Sequence, residues 1–154
     1  KIKYPGMPCF TGAALSPFNA WLIMRGMTTL EMRVEKHCSN ALAIAQFLES
    51  RDEVERVIYP ALKSHPQHSL CEKQMNGMGG GIVSFWLKNG IKGMTVREAD
   101  YKLCDALGII TIATSLGEGH TLIQVENSSM VRIAVGLENP KDLINDLKQA
   151  FESL

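Results

Sequence analysis

Residues 110–136 read ITIATSLGEGHTLIQVENSSMVRIAVG. Two apolar runs, IITIATSL (109–116) and MVRIAVGL (130–137), have the β-branched content of strands, and a Gly-rich polar connection joins them. Arg132 interrupts the second run. Alternation along a strand puts Met130, Arg132 and Ala134 on one face, with Val131, Ile133 and Val135 on the other. Burying a guanidinium is costly unless it is paired. Its planar fork matches a carboxylate bidentately, and its charge does not depend on pH. Pattern alone leaves two readings open. Arg132 either holds a ligand carboxylate, or it is a structural charge, paired with an acid such as Glu118 or Glu126 or simply exposed on an edge strand.

Working outward, the segments around this stretch alternate between helix and strand signals. Ser16-Pro17 is a helix start, with serine as cap and proline where its missing N–H costs nothing. Apolar residues dominate through Met24, and Arg25-Gly26 predicts a break. Thr28-x-x-Glu31 has the form of a capping box that restarts a helix. From there Leu30, Val34, Cys38, Ala41, Ala45 and Leu48 recur at helical spacing to about Ser50. VERVIYP (54–60) predicts a strand, SLCEKQM (69–75) a short helix capped by Ser69, IVSFWLK (82–88) a strand and TVREADYKLCDAL (95–107) a helix. Asn139-Pro140 opens a last helix, with Leu143, Leu147, Ala150 and Phe151 on one face. The expected fold class is α/β: two helices within 17–50, then a mixed α/β region over 54–154, built on an open sheet of about four strands with helices packed on one face.

With 154 residues, 45% of them hydrophobic, the chain can bury one substantial core. Sixteen basic and sixteen acidic residues balance and are dispersed, which argues against nucleic acid or an anionic membrane as partner. No apolar run is long enough for a membrane-spanning helix. Cys9, Cys38, Cys71 and Cys104 form no Cys-x-x-Cys pair and read as free thiols, so a cytoplasmic setting is expected. The opening KIKYPGMPCF, without an initiator methionine, reads as part of a longer protein.

Other constellations are weaker. Gly79-Gly80-Gly81 leads into a strand rather than a helix, so a flexible turn is expected in place of a phosphate cradle. His65-x-x-His68-x-x-Cys71 lacks a further ligand pair, and no metal site is expected. His37 is expected in a solvated or capping role, and His120 lies on a loop that could rim a site.

The run LSPFNAWLIMRGMTTLEMRVEKHCSNALAIAQFLES resembles the interdomain and first small-domain helices of the Cys/Met-metabolism pyridoxal-phosphate enzymes. These include cystathionine gamma-synthase, cystathionine gamma-lyase, methionine gamma-lyase and the homoserine sulfhydrylases. VERVIYPALKSHPQH, the glycine run before IVSFWLK, TSLG and MVRIAVGLENPKDLINDL follow in the family's order. MRGMTTL and HCSNA are most similar to methionine gamma-lyase.

The resemblance implies the C-terminal small domain of the type I pyridoxal-phosphate enzyme fold. Residues 1–15 would be the remnant of the preceding large-domain segment, and 16–154 the domain that closes over substrate. It implies that Arg132 pairs with the α-carboxylate of a sulfur-containing amino acid and that Ser115, of the SLG motif, lies beside it. The Schiff-base lysine for pyridoxal phosphate would stand in a preceding domain, so no catalytic or cofactor-binding residue is expected here and this chain alone would be inactive. The full-length protein would be a carbon–sulfur lyase or transferase working by gamma-elimination or gamma-replacement, assembled as a homotetramer. One departure stands out. Between TLIQ and VRIAVG, where the family has a long segment with a His-Pro-Ala-Ser-Met-Thr-His-like motif, only VENSSM is present. That shortening keeps alive an alternative, a non-catalytic truncated paralogue serving assembly or binding.

Overall fold

The computed structural model describes residues 12, 14–126 and 128–154. Cys9 and most of the 1–15 segment lie outside the described residues. The chain divides into two compact units, Lys1–Met32 and Arg33–Leu154.

In the first unit, helix α1 (Pro17–Met27) begins where its cap predicts, with Asn19 N–H donating to the Ser16 hydroxyl at 3.2 Å. It runs through Arg25-Gly26 instead of breaking there, since a single helical glycine costs only about 1 kcal/mol. The Thr28 hydroxyl donates back to Arg25 O at 2.7 Å, so Thr28 finishes α1, where the expected capping box had it opening the next helix. α1 buries none of its side chains; Phe18, Met24 and Met27 are all exposed.

Helix α2 (Leu30–Glu49) buries Cys38, Asn40, Ala41, Ile44, Ala45 and Leu48. The expected apolar stripe is buried only in this latter part, because Leu30 and Val34 are exposed.

The second unit continues with β1 (Val54–Ile58), α3 (His68–Met75), β2 (Ile82–Leu87), α4 (Val96–Asp105), β3 (Thr111–Ile112), β4 (Leu122–Val125), β5 (Val131–Ala134) and α5 (Pro140–Ser153). The strands form one five-stranded sheet in the order β1-β2-β5-β4-β3. All neighbours are antiparallel except β3 and β4. The sheet therefore has one more strand than the sequence predicts. The extra strand is β4, in the stretch TLIQV.

The predicted strand over 109–116 is observed only at Thr111–Ile112, and its first two residues are lost for a physical reason. Asp146, on α5, accepts the N–H groups of Gly108 at 2.8 Å, Ile109 at 2.9 Å and Ile110 at 2.9 Å. Those donors are consumed by a carboxylate and cannot enter a ladder. In α3, Gln67 takes the cap position and Ser69 lies inside the helix, which corrects the cap expected there.

Two helices are closed by local chemistry that the sequence carries. α4 has a full capping box between Thr95 and Glu98, and those bonds hold the Glu98 carboxyl below its usual range. α5 has Asn139 accepting from Lys141 N–H at 3.0 Å and Pro140 in its first turn. Its Leu143, Leu147, Ala150 and Phe151 are buried at three- and four-residue spacing, as read from the sequence.

Within the second unit α2, α4 and α5 gather on one face of the sheet. Ile44 and Leu48 of α2, Leu103 of α4 and Leu147 and Phe151 of α5 join Val83, Phe85, Ile123 and Ile133 in a single core. Each large apolar side chain so buried contributes about 1.5–3 kcal/mol. On the opposite face Ser84, Trp86, Gln124 and Arg132 are only half-buried. One face makes the fold and the other presents polar groups.

Candidate functional site: a guanidinium in the middle of the sheet

Arg132 lies on β5, an interior strand, so exposure on an edge is not its explanation. The register sets it directly between Ser84 of β2 and Gln124 of β4. Its flanking residues Val131, Ile133 and Val135 are buried in the core, as the alternation predicts.

The guanidinium is held on one side only. Its Nη2 donates to Gln124 Oε1 at 2.7 Å and to Thr114 O at 2.8 Å. Its Nη1 lies 3.8 Å from Glu126 Oε1, with the Arg132 side chain 19% exposed. Its Nε is buried without a hydrogen-bond partner among the described residues. The Thr114 bond ties the TSLG loop to β5 and sets Ser115, the other candidate, next to the anchored residue. Ser115 is exposed, and its hydroxyl donates to Glu118 Oε1 at 3.2 Å. Of the two acids that the sequence offered as structural partners, Glu126 faces Arg132, while Glu118 accepts from Ser115.

The ends of β4 and β5 are pinned by a buried polar network. Glu138 accepts Thr121 N–H at 2.6 Å and the Thr121 hydroxyl at 2.8 Å, while the same hydroxyl oxygen accepts Gly136 N–H at 2.9 Å. Asn40 of α2 donates to Gly136 O at 3.0 Å and to Glu138 O at 2.8 Å. Gly136 must be glycine, because a Cβ there would overlap Glu138 Oε2, Gly119 O and the carbonyl carbon of His120. This clamps the strand that carries Arg132 and is what lets a long side chain hold a fixed position.

Local hydrogen bonds close the connection from β4 to β5. Glu126 N–H donates to Met130 O at 2.7 Å and Ser129 N–H donates to Glu126 O at 3.1 Å. Ser129 takes the left-handed conformation at φ 54°, the position that glycine usually fills in such turns. The β4–β5 ladder is intact on the strand side of this turn and pairs Gln124 with Arg132.

The other sequence candidates lie elsewhere. His37 Nδ1 contacts Val135 O at 2.6 Å, which makes it a donor there. It lines a cavity of about 270 Å³ with Val34, Ile82, Leu116 and Gly117. His120 is exposed. His65 Nδ1 accepts from Gln67 N–H at 3.1 Å, and His68 faces Glu72 at 3.8 Å. Among the described residues, no three His, Cys, Asp or Glu side chains are grouped to hold a metal ion.

The glycine run has a packing role. A Cβ on Gly79 would come within 2.7 Å of the Tyr59 ring, whose hydroxyl donates to Gly80 O at 2.9 Å. Cys38, Cys71 and Cys104 are free and buried.

Gln124 and Thr114 are the site residues that sequence reasoning missed. The signal was present in TLIQV, where Leu122 and Gln124 alternate with Ile123 and Val125, but the strand had to be recognised first. The groups bonded around Arg132 are carbonyl, amide and carboxylate, with no amine among the described contacts. All three are hydrogen-bond acceptors, so the guanidinium is the donor among them.

Comparison with known proteins agrees with this fold. The family model for Cys/Met metabolism PLP-dependent enzymes matches residues 4–129. L-methionine gamma-lyase of Treponema denticola is 40% identical over the whole chain, which spans 41% of that relative. The O-succinylhomoserine sulfhydrylase of Pseudomonas aeruginosa is 37% identical over 93% of the chain and 38% of its own length. Among solved structures, one from Campylobacter jejuni described as an O-acetylhomoserine (thiol)-lyase superposes with a TM-score of 0.82 at 38% identity. It covers 94% of this chain and 34% of its own, and carries a pyridoxyl-lysine monophosphate. The chain thus spans about two fifths of the length of the curated relatives it matches. No helix among the described residues is long and apolar enough to cross a membrane. The chain belongs to the Cys/Met metabolism family of pyridoxal-phosphate-dependent enzymes.

Proposed function

We propose that this chain supplies the substrate-carboxylate clamp of a pyridoxal-phosphate-dependent carbon–sulfur lyase or transferase acting on a sulfur-containing amino acid. Arg132 binds the α-carboxylate and Ser115 lies alongside it. The observation that carries the reading is the half-used guanidinium. Among the described residues its Nη2 is committed to Thr114 and Gln124, its Nε has no hydrogen-bond partner, and its Nη1 meets a carboxylate at 3.8 Å. An arginine built purely for structure would use short, bidentate pairing. Anchoring one amino group of the guanidinium to a central strand fixes its plane, which is what positioning an amino acid requires.

When bound, pyridoxal phosphate supplies the electron sink for carbanion chemistry. The contribution of this chain is to hold and orient one end of the substrate, and by itself it is inactive. The methionine gamma-lyase reading, with gamma-elimination or gamma-replacement, is drawn from the similarity to relatives that carry that name. A cytoplasmic homotetramer is part of the same proposal, to be checked by sedimentation of the full-length protein.

The test is Arg132→Gln in the complete protein. Loss of a charge-assisted pair costs about 1.5–3 kcal/mol, so kcat/KM falls roughly 10- to 150-fold. Unchanged steady-state kinetics would sink the assignment. A second reading, a non-catalytic paralogue, draws on the hairpin at 126–130 that stands where the family has a longer segment. It predicts no cofactor-binding lysine in the reading frame ahead of Lys1.

A further inference from the structure

Register decides which side chains meet Arg132. In an antiparallel pair each residue has a direct partner and diagonal neighbours two positions away on the same face. Gln124 is the direct partner. Glu126 continues the same face two residues further on, and the hairpin fixes its backbone through the bonds to Met130 and Ser129. Its carboxylate stands 3.8 Å from Arg132 Nη1. That distance is too long for a hydrogen bond, so the contact is one of charge alone. The alignment with the Treponema relative runs over 172 positions against the 154 residues of this chain, and the family match ends at Ser129.

We infer that Glu126 is a resident counter-ion of the Arg132 clamp, a specificity-determining residue that competes with an incoming carboxylate. The inference rests on the reading of Arg132 as that clamp. A ligand carboxylate approaching Nη1 meets a like charge that the turn holds in place, and must displace it or bind beside it. Neutralising Glu126 removes that competition. A half-buried pair at this distance, open to solvent on one side, has modest strength, so the expected gain in carboxylate affinity is about twofold to fivefold.

The experiment uses the 154-residue chain and formate, the smallest carboxylate, exchanged for chloride at constant ionic strength. The Arg132 Nε–H resonance reports binding directly. Glu126→Gln is expected to bind formate about two to five times more tightly than the unsubstituted chain. Glu152→Gln, on the exposed end of α5, controls for net charge and is expected to leave affinity unchanged. Equal formate affinity with and without Glu126 would overturn the inference and leave the Arg132 reading standing. An equal gain in both variants would also overturn it, since net charge would then suffice. No formate response at Arg132 in any variant would overturn the clamp itself, and this inference with it. Glu126→Ala repeats the measurement if the glutamine variant perturbs the hairpin.

Discussion

Asp146 and Arg132 both carry a charge into a largely apolar unit, and they are held in opposite ways. Asp146 receives the N–H groups of Gly108 at 2.8 Å, Ile109 at 2.9 Å and Ile110 at 2.9 Å, with Gln149 at 3.2 Å. Burial alone would raise its pKa, but these bonds outweigh it and hold the carboxyl below its ordinary value. Among the described residues Arg132 commits one nitrogen to the chain, leaves Nε without a hydrogen-bond partner and turns Nη1 toward Glu126. A charge whose bonding capacity the chain consumes is a structural element. One with capacity left over is available to something else.

The largest expected effect breaks the first member of that comparison. Asp146→Ala leaves three backbone donors without their acceptor and is expected to cost about 3 kcal/mol in urea denaturation at pH 7. Because the folded-state pKa of Asp146 is depressed, its contribution is present above the unfolded carboxylate pKa and is lost as pH falls through the folded value. The gap between wild type and Asp146→Ala should therefore narrow on acidification. Arg132→Gln, by contrast, is expected to change stability by only about 1 kcal/mol, since it gives up bonds at a half-exposed face. Equal losses in the two variants would erase the distinction between a closed and an open charge.

How far the sequence foretold this molecule follows the same division. Periodicity located the α-helices among the described residues, and the caps at Ser16 and Asn139 fell where expected because they act locally, whereas those expected at Thr28 and Ser69 did not. Arg132 was legible as an anomaly for the same reason: one charge in a β-branched run stands out without any partner in view. Its surroundings were not legible. Gln124 and Glu126 meet Arg132 through strand register, and Thr114 through a bond across 18 residues. Asp146 was hidden as well. It reads as an ordinary polar position of an amphipathic helix, yet from 36 residues downstream it takes the backbone of Ile110 out of the predicted strand. Local signals reveal elements, while the hydrogen-bond partners that truncate or equip them are set by the fold.

A third charge sharpens the comparison with a smaller effect. Asp100, on α4, is fully buried, and neither carboxylate oxygen has a hydrogen-bond partner among the described residues. Burial pushes it up to about 6, tempered by the neighbouring Ser129 side chain. A folded pKa above the unfolded one means the acid favours the fold when protonated. That advantage is complete below about pH 4 and is lost as pH rises through about 6. Stability should thus fall by about 2 kcal/mol between pH 4 and pH 7.5 from this group alone. Asp100→Asn, neutral throughout, is expected to match wild type near pH 4 and to exceed it by about 2 kcal/mol at pH 7.5. Parallel pH profiles for the two proteins would show that Asp100 does not titrate in this range.

The smallest effect concerns the turn that carries Glu126 to Arg132. Ser129 holds φ at 54°, a left-handed conformation that costs a non-glycine residue about 1 kcal/mol. Ser129→Gly should relieve this, offset by the greater freedom of glycine in the unfolded chain, for a net gain of about 0.5 kcal/mol. The serine side chain also bears on Asp100, so the comparison belongs in the Asp100→Asn background, where that contact carries no charge. There the gain should be independent of pH, and the Arg132 Nε–H resonance should keep its position, because the β4–β5 register is set by the ladder and not by the turn residue. A loss of stability would mean that the serine side chain contributes more than its backbone strain costs. A shifted Arg132 resonance would mean that the turn helps to shape the clamp. The rim of the site would then be coupled to the turn, and Glu126 could not be varied independently of its hairpin.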